Sequence, residues 1–139
     1  MISFENINKP DWKYELLHHY VNIVHNYVFY HHYYVLHKER LLKDQPLVVI
    51  CNHQNGLSDA LGILFALRGD SRRPVFIARA DIFKREIAAK LLRFLKIMPA
   101  FRVQDTGVEN LGENEAIFNK SARILLEDGI VGLFPEAGH

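Results

Sequence analysis

The residues most able to do chemistry are one histidine, one carboxylate close behind it, two arginines and a glutamate: His53, Asp59, Arg79, Arg102 and Glu136. A histidine can act as general base near neutral pH. A carboxylate accepting from one imidazole nitrogen fixes the tautomer and raises the basicity of the other. Asp59 can play that part, because Gln54-Asn55-Gly56 offers a turn between the two and Gly56 the freedom to make it. The plainer reading of Asp59 is favourable charge at a helix start. Arginines fork onto phosphate. This set suits group transfer to or from a phosphorylated substrate. Cys51 and His53 share a side of an extended strand, which raises a Cys–His nucleophilic dyad as a rival. Cys51 sits in an apolar run, however, and reads more simply as a small core residue.

The pattern of elements says why these residues should meet. Residues 46–52 (PLVVICN), 73–79 (RPVFIAR), 97–102 (IMPAFR) and 130–135 (IVGLFP) are short apolar runs that read as strands. Between them, residues 57–68, 81–96 and 114–127 read as helices, the last ended by Asp128-Gly129. In the helix over 81–96, Phe83, Ile87, Leu91 and Phe94 or Leu95 form the expected apolar face. Alternating strands and helices predict an α/β fold with a largely parallel sheet. In such sheets functional groups gather at the strand C-terminal ends. The first strand runs into His53, the second ends on Arg79, the third on Arg102, and the fourth runs into Glu136.

Residues 12–37 are a different material. Leu16, Tyr20, Ile23, Val24, Tyr27 and Tyr34 fall near helical spacing, with His18, Asn22, His25 and His32 largely off that stripe. They predict one long amphipathic helix. Tyr, Trp and His have apolar bodies and polar tips, the chemistry of a membrane–water interface. The alternative is a helix packed on its own domain. The seven-residue histidine spacing is a poor metal site, which needs ligands one turn apart. We therefore divide the chain into an N-terminal helical segment, 1–45, and a catalytic domain, 46–139.

Composition narrows the class. The 139 residues are 49% hydrophobic and 24% charged, a globular balance, and the formal charge of +1 excludes a dedicated nucleic-acid binder. The charge is unevenly placed. Residues 68–102 hold ten Lys/Arg against three Asp/Glu, a net of +7. A block of this kind favours an anion nearby, a phosphate group or an anionic membrane surface. The single cysteine rules out an internal disulfide framework and fits a reducing compartment. No signal peptide is visible, and no apolar run reaches transmembrane length.

NHQNGLSD, KIMPAFR and LFPEAGH, in this order and at this spacing, resemble the glycerol-3-phosphate / lysophosphatidate acyltransferase superfamily over roughly residues 46–139. That family carries a His-x4-Asp motif after a strand, an arginine-containing second motif and a Phe-Pro-Glu-Gly third motif. Two departures stand out. The first motif here has five intervening residues, so a rigid alignment lands on Ser58; we take Asp59. In the third motif Ala137 stands between Glu136 and Gly138. The resemblance implies acyl transfer from acyl-CoA or acyl carrier protein to a hydroxyl of a glycerol-phosphate lipid precursor, with no metal and no bound cofactor. It implies His53 as base, Asp59 as its orienting acid, and Arg79, Arg102, Glu136 and Gly138 in acceptor binding. Membrane lipids are the implied partners and the cytoplasmic membrane face the implied location. A non-catalytic lipid-binding or tethering domain of the same fold is the alternative. Members of the family continue past the third motif. The chain is accordingly expected to be a fragment that is nearly inactive and self-associates, with one face of its fourth strand, Val131 and Leu133 or Ile130, Gly132 and Phe134, left bare.

Overall fold

A computed structural model describes residues 4–30, 32, 34–52, 57–102 and 112–135. Four strands form one parallel sheet: β1 (Leu47–Ile50), β2 (Val75–Arg79), β3 (Ile97–Ala100) and β4 (Ile130–Leu133). Among the described residues the α-helices are α1 (Trp12–Ile23), α2 (Leu57–Ala66), α3 (Glu86–Phe94) and α4 (Glu113–Leu126). The α/β fold with a parallel sheet is therefore as expected, each strand a residue or more shorter than its apolar run.

The strand order is β1-β4-β2-β3, so the last strand inserts between the first two. This corrects the expectation of a half-bare fourth strand. β4 pairs on both sides, and Ile130 and Val131 are buried. On one sheet face Val131 packs with Val75, Met98 and Ile124 of α4, and with Ile7 of the N-terminal segment. On the other, Ile130 packs with Phe76, Ile97 and residues Ile63 and Leu67 at the far end of α2. The helix preceding β4 does the covering that the sequence reading assigned to one following it. The exposed edge is β1, where Val48 and Ile50 face outward.

Gly132 marks a close approach. A Cβ there would collide with the Phe76 ring, which lies over the glycine and stacks on Phe134 at 5.9 Å. Asp128 takes the left-handed conformation (φ 57°) that ends α4, and its neighbour Gly129 donates back to the Ile124 carbonyl at 2.8 Å. Asp128-Gly129 thus stops the helix as its residue types predict.

Two helices differ from expectation. The N-terminal helix does not run to residue 37. Asp11 caps α1 by accepting from the Lys13 amide, and α1 passes into a π-helical turn, Val24–Phe29, closed by Tyr30 N donating to the His25 carbonyl. The aromatic and β-branched run Tyr27-Val28-Phe29-Tyr30 is poor helix material, which accounts for the early end. The face that meets the protein is mixed: Tyr14 is buried against Phe94, and polar residues lie on the same side. Asn22 and His25 are buried, and the His18 and His25 rings lie against Phe65 of α2. Burial, then the charge of Arg73, holds His18 below its ordinary pKa. The apolar stripe points away: Trp12, Leu16, Tyr20 and Tyr27 are between 64% and 72% exposed. In the third helical region a 3₁₀ turn, Ala80–Phe83, precedes α3. Phe83 and Leu95 do face the core, but Ile87 (84% exposed) and Leu91 do not. Ala89, on the opposite side of the helix, is buried instead and lets the backbone approach the sheet closely.

Much of the basic block is structural. Lys96, buried and with φ 61°, donates to the Ile7 and Lys9 carbonyls at 2.7 Å each and lies 5.0 Å from the Tyr14 ring centre. Arg73 forks onto Glu15 and ties α1 to the lead-in of β2. Arg72 is the most connected. It forks onto Asp70 and donates to the carbonyls of Leu42, Gln45 and Asp128, gathering the approaches to β1, β2 and β4.

Arg72→Ala should lower unfolding free energy by about 3 kcal/mol, because it leaves Asp70 and three carbonyls without their donor. Urea denaturation checks this; a loss under ~1 kcal/mol would mean water replaces the guanidinium. Hydrogen bonds from Arg72, opposed by burial, hold the Asp70 carboxyl below its ordinary value of 3.8. Since its folded pKa is depressed, this contribution is complete above about pH 4 and is lost as pH falls through the lower, folded value. Asp70→Asn should flatten that acid limb.

Candidate functional site

The sheet registers line up the strand ends. Ile50, Leu133 and Ile77 sit side by side across β1, β4 and β2, and Arg79 lies beside Ala100 of β3. The segments that leave these strands therefore start from one rim, on the C-terminal side of a parallel sheet. β4 reverses the strand order between β1 and β2, which makes this rim a topological switch point. His53, Glu136 and Gly138, and the Gln54-Asn55-Gly56 turn, lie outside the described residues. Asp59, Arg79 and Arg102 are described.

Asp59 stands in the first turn of α2 and is half-buried. Its charge is felt at Cys51, just past the end of β1. The Asp59 carboxylate therefore lies near enough to Cys51 for its charge to raise the thiol pKa. The position favours a negative charge on helix-terminus grounds as well. The two readings of this residue are compatible.

Cys51 belongs to the core. It packs against the cluster containing Ile63, Phe76 and Ile130, and its amide donates to the Leu133 carbonyl at 3.2 Å. Burial first, and then the Asp59 carboxylate, push the thiol above its ordinary 9.0. A nucleophilic cysteine needs the reverse shift.

Arg79 is half-exposed and forks onto Asp81, with contacts of 3.1 Å and 2.7 Å. Its guanidinium is thus aimed by a carboxylate two residues on, at the start of the 3₁₀ turn. A phosphate at Arg79 would share the fork with Asp81 or displace it. Arg102 follows β3 and is half-buried. Its approach is held by Asn114 in the first turn of α4. The Asn114 carboxamide accepts from Phe101 N at 2.8 Å and donates to Phe101 O at 2.7 Å.

Asp81 and Asn114 were not singled out by sequence reasoning. An acid two residues beyond a candidate phosphate arginine is a visible signal. Asn114 has none, since its partner is the backbone of a residue thirteen positions away. Among the described residues, no group of three or more His, Cys, Asp or Glu could hold a metal ion. A large open cleft of about 720 Å³, lined by Lys9, Trp12, Lys90 and Arg93, lies by the C-terminus of α3 and the start of β3, at the sheet end opposite the rim.

With its pKa raised, the Cys51 thiol should carry less thiolate near pH 8 than a free cysteine. Alkylation by iodoacetamide in the folded protein should be roughly tenfold slower than in urea, with its midpoint displaced to higher pH. Alkylation as fast as free cysteine at pH 7 would mean an activated thiol and would revive the dyad.

No curated protein and no solved structure matches the chain. A family model does: the acyltransferase model matches residues 32–139, well over half of the chain and all of the rim segments. With the three motifs in order along that match, the chain belongs to the acyltransferase family, the domain of the glycerolipid acyltransferase superfamily.

Proposed function

We propose that this chain moves a fatty acyl group from a thioester donor, acyl-CoA or acyl carrier protein, to a hydroxyl of a glycerol-phosphate lipid precursor of the lysophosphatidate type, as a step of phospholipid biosynthesis. The observation that carries this reading is the gathering of the strand ends at one rim, with Arg79 ending β2, Arg102 just past β3 and Asp59 in the first turn of α2. The family match supports the reaction class.

In this mechanism His53 takes the proton of the acceptor hydroxyl. The oxygen attacks the thioester carbonyl, the new ester forms as the carbon–sulfur bond breaks, and the departing thiolate recovers a proton from the imidazolium. Asp59 orients His53 and stabilises its charged form. Arg102, helped by Arg79, holds the acceptor phosphate. Glu136 positions the acceptor hydroxyls, and Gly138 lets the backbone come close to them. A thioester is already activated, so the reaction needs neither metal nor bound cofactor.

The membrane is the proposed place of work, at its cytoplasmic face. Among the described residues, no helix is long and apolar enough to cross a bilayer. What supports interfacial attachment is the outward stripe of Trp12, Leu16 and Tyr20 on α1 and Tyr27 in the turn after it, aromatic and aliphatic groups that are exposed.

His53→Ala in the full-length protein should lower acyl transfer, read as thiol release from palmitoyl-CoA with lysophosphatidate, by about two to four orders of magnitude without changing the melting temperature. A folded variant with near wild-type turnover would remove His53 from the mechanism. Leu16→Glu with Tyr20→Glu should reduce co-sedimentation with phospholipid vesicles roughly tenfold or more. Because both side chains point outward, melting should be little affected. Unchanged co-sedimentation would reassign the stripe to contact with protein.

A further inference from the structure

We propose that Asn114 is a positioning residue for the acceptor phosphate, acting through the backbone of Phe101 on Arg102. The inference rests on the reading that Arg102 binds that phosphate.

Among the described residues β3 is an edge strand, paired only with β2, and its pairing stops at Ala100 opposite Arg79. Beyond that point the sheet ladder no longer holds the backbone. The Asn114 carboxamide takes over. Its oxygen receives the Phe101 amide and its nitrogen donates to the Phe101 carbonyl. Both bonds go to one residue, so they fix its orientation as well as its position, as a neighbouring strand would. Phe101 and Asn114 are half-buried, where loss of a partner costs more than at the surface.

The residue type is informative. Asparagine is an indifferent helix former, and in a first turn its side chain more often bonds its own helix. Here it reaches back across residues 102–113 to the strand end. Only a carboxamide supplies one donor and one acceptor in a plane at this length; aspartate lacks the donor and glutamine is a methylene longer. Arg102 is the next residue after the fixed peptide, so the origin of its side chain is set by Asn114. A forked contact to phosphate is sensitive to that origin.

The test is binding, measured by calorimetry on the full chain below micellar concentration. Two probes are compared: lysophosphatidate, and the monoacylglycerol that lacks the phosphate. The wild type should prefer the phosphorylated probe, and Arg102→Ala should largely abolish the preference. Asn114→Ala should reduce it roughly tenfold with little effect on monoacylglycerol. Asn114→Asp, which keeps the Phe101 N–H bond, should fall between Asn114→Ala and wild type and guards against a poorly folding alanine variant. In an Arg102→Ala background, Asn114→Ala should change nothing further. A folded Asn114→Ala protein that keeps the full preference, while Arg102→Ala loses it, overturns the role of Asn114 and leaves the phosphate reading standing. Equal weakening toward both probes marks a merely structural residue and also overturns it. A wild type without any preference overturns the phosphate reading and this inference together.

Discussion

The placement of β4 between β1 and β2 is the constraint on which the rim depends. A parallel sheet in strict sequence order would put the first and fourth strands at opposite edges, about 14 Å apart at the spacing of neighbouring strands. The residues that follow them could not then share a substrate. With β4 inserted, Ile50 and Leu133 become partners, and the segments leaving β1 and β4 start side by side. The insertion needs a fourth strand apolar on both faces, because nothing at its sides is solvent. Ile130 and Val131 meet that need, and Gly132 yields its side-chain space to the Phe76 ring. The fold and the candidate site are set by the same four residues.

A second layer of order comes from cations tied to the protein's own carbonyls and carboxylates. Arg72, Arg73 and Lys96 each bind carbonyls or carboxylates of segments far away in sequence. All three work at the end of the sheet opposite the rim. The division is consistent with what each end must do: the entry side is locked by buried or half-buried donors, and the exit side keeps its longer connections for chemistry. Arg79 and Arg102, by contrast, are oriented by neighbours, through Asp81 and through Asn114 acting on Phe101, and keep a place on the rim.

How much of this the residues announce varies by element. The strands and helices of 46–135 are legible because their periodicities are distinct and Asp128-Gly129 stops α4 where such a pair should. The strand order is not legible, since each strand is apolar enough to be central. A bare fourth strand was expected because no helix follows it, and a covered one is found because β4 is central and the helix before it packs on its face. The helix faces were misjudged at Ile87 and Leu91 for a related reason. Burial follows the closest packing, and Ala89 allows α3 nearer the sheet than the larger face would. In the N-terminal segment Tyr14, His18 and His25 turn toward the domain while the expected apolar stripe does not, which spacing alone could not say. The places of Asp59 at a helix start and of Arg79 and Arg102 at strand ends follow from the element pattern, whereas the contact of Asn114 depends on a side chain meeting a distant peptide and leaves no local trace.

The long reach of one pairing has a consequence for how the molecule comes into being. Leu47 has Ile130 as its partner, and among the described residues the other flank of β1 carries no strand. While the chain is being synthesised, β2 and β3 can pair as soon as both have emerged, but β1 must wait for more than eighty further residues. Through that interval it is an unpaired apolar strand with Val48 and Ile50 uncovered, the kind of segment that chaperones hold and that misassembles when they do not. The order of strands that builds the rim therefore also sets a vulnerable period in folding, and ends it only when the third motif's own strand arrives.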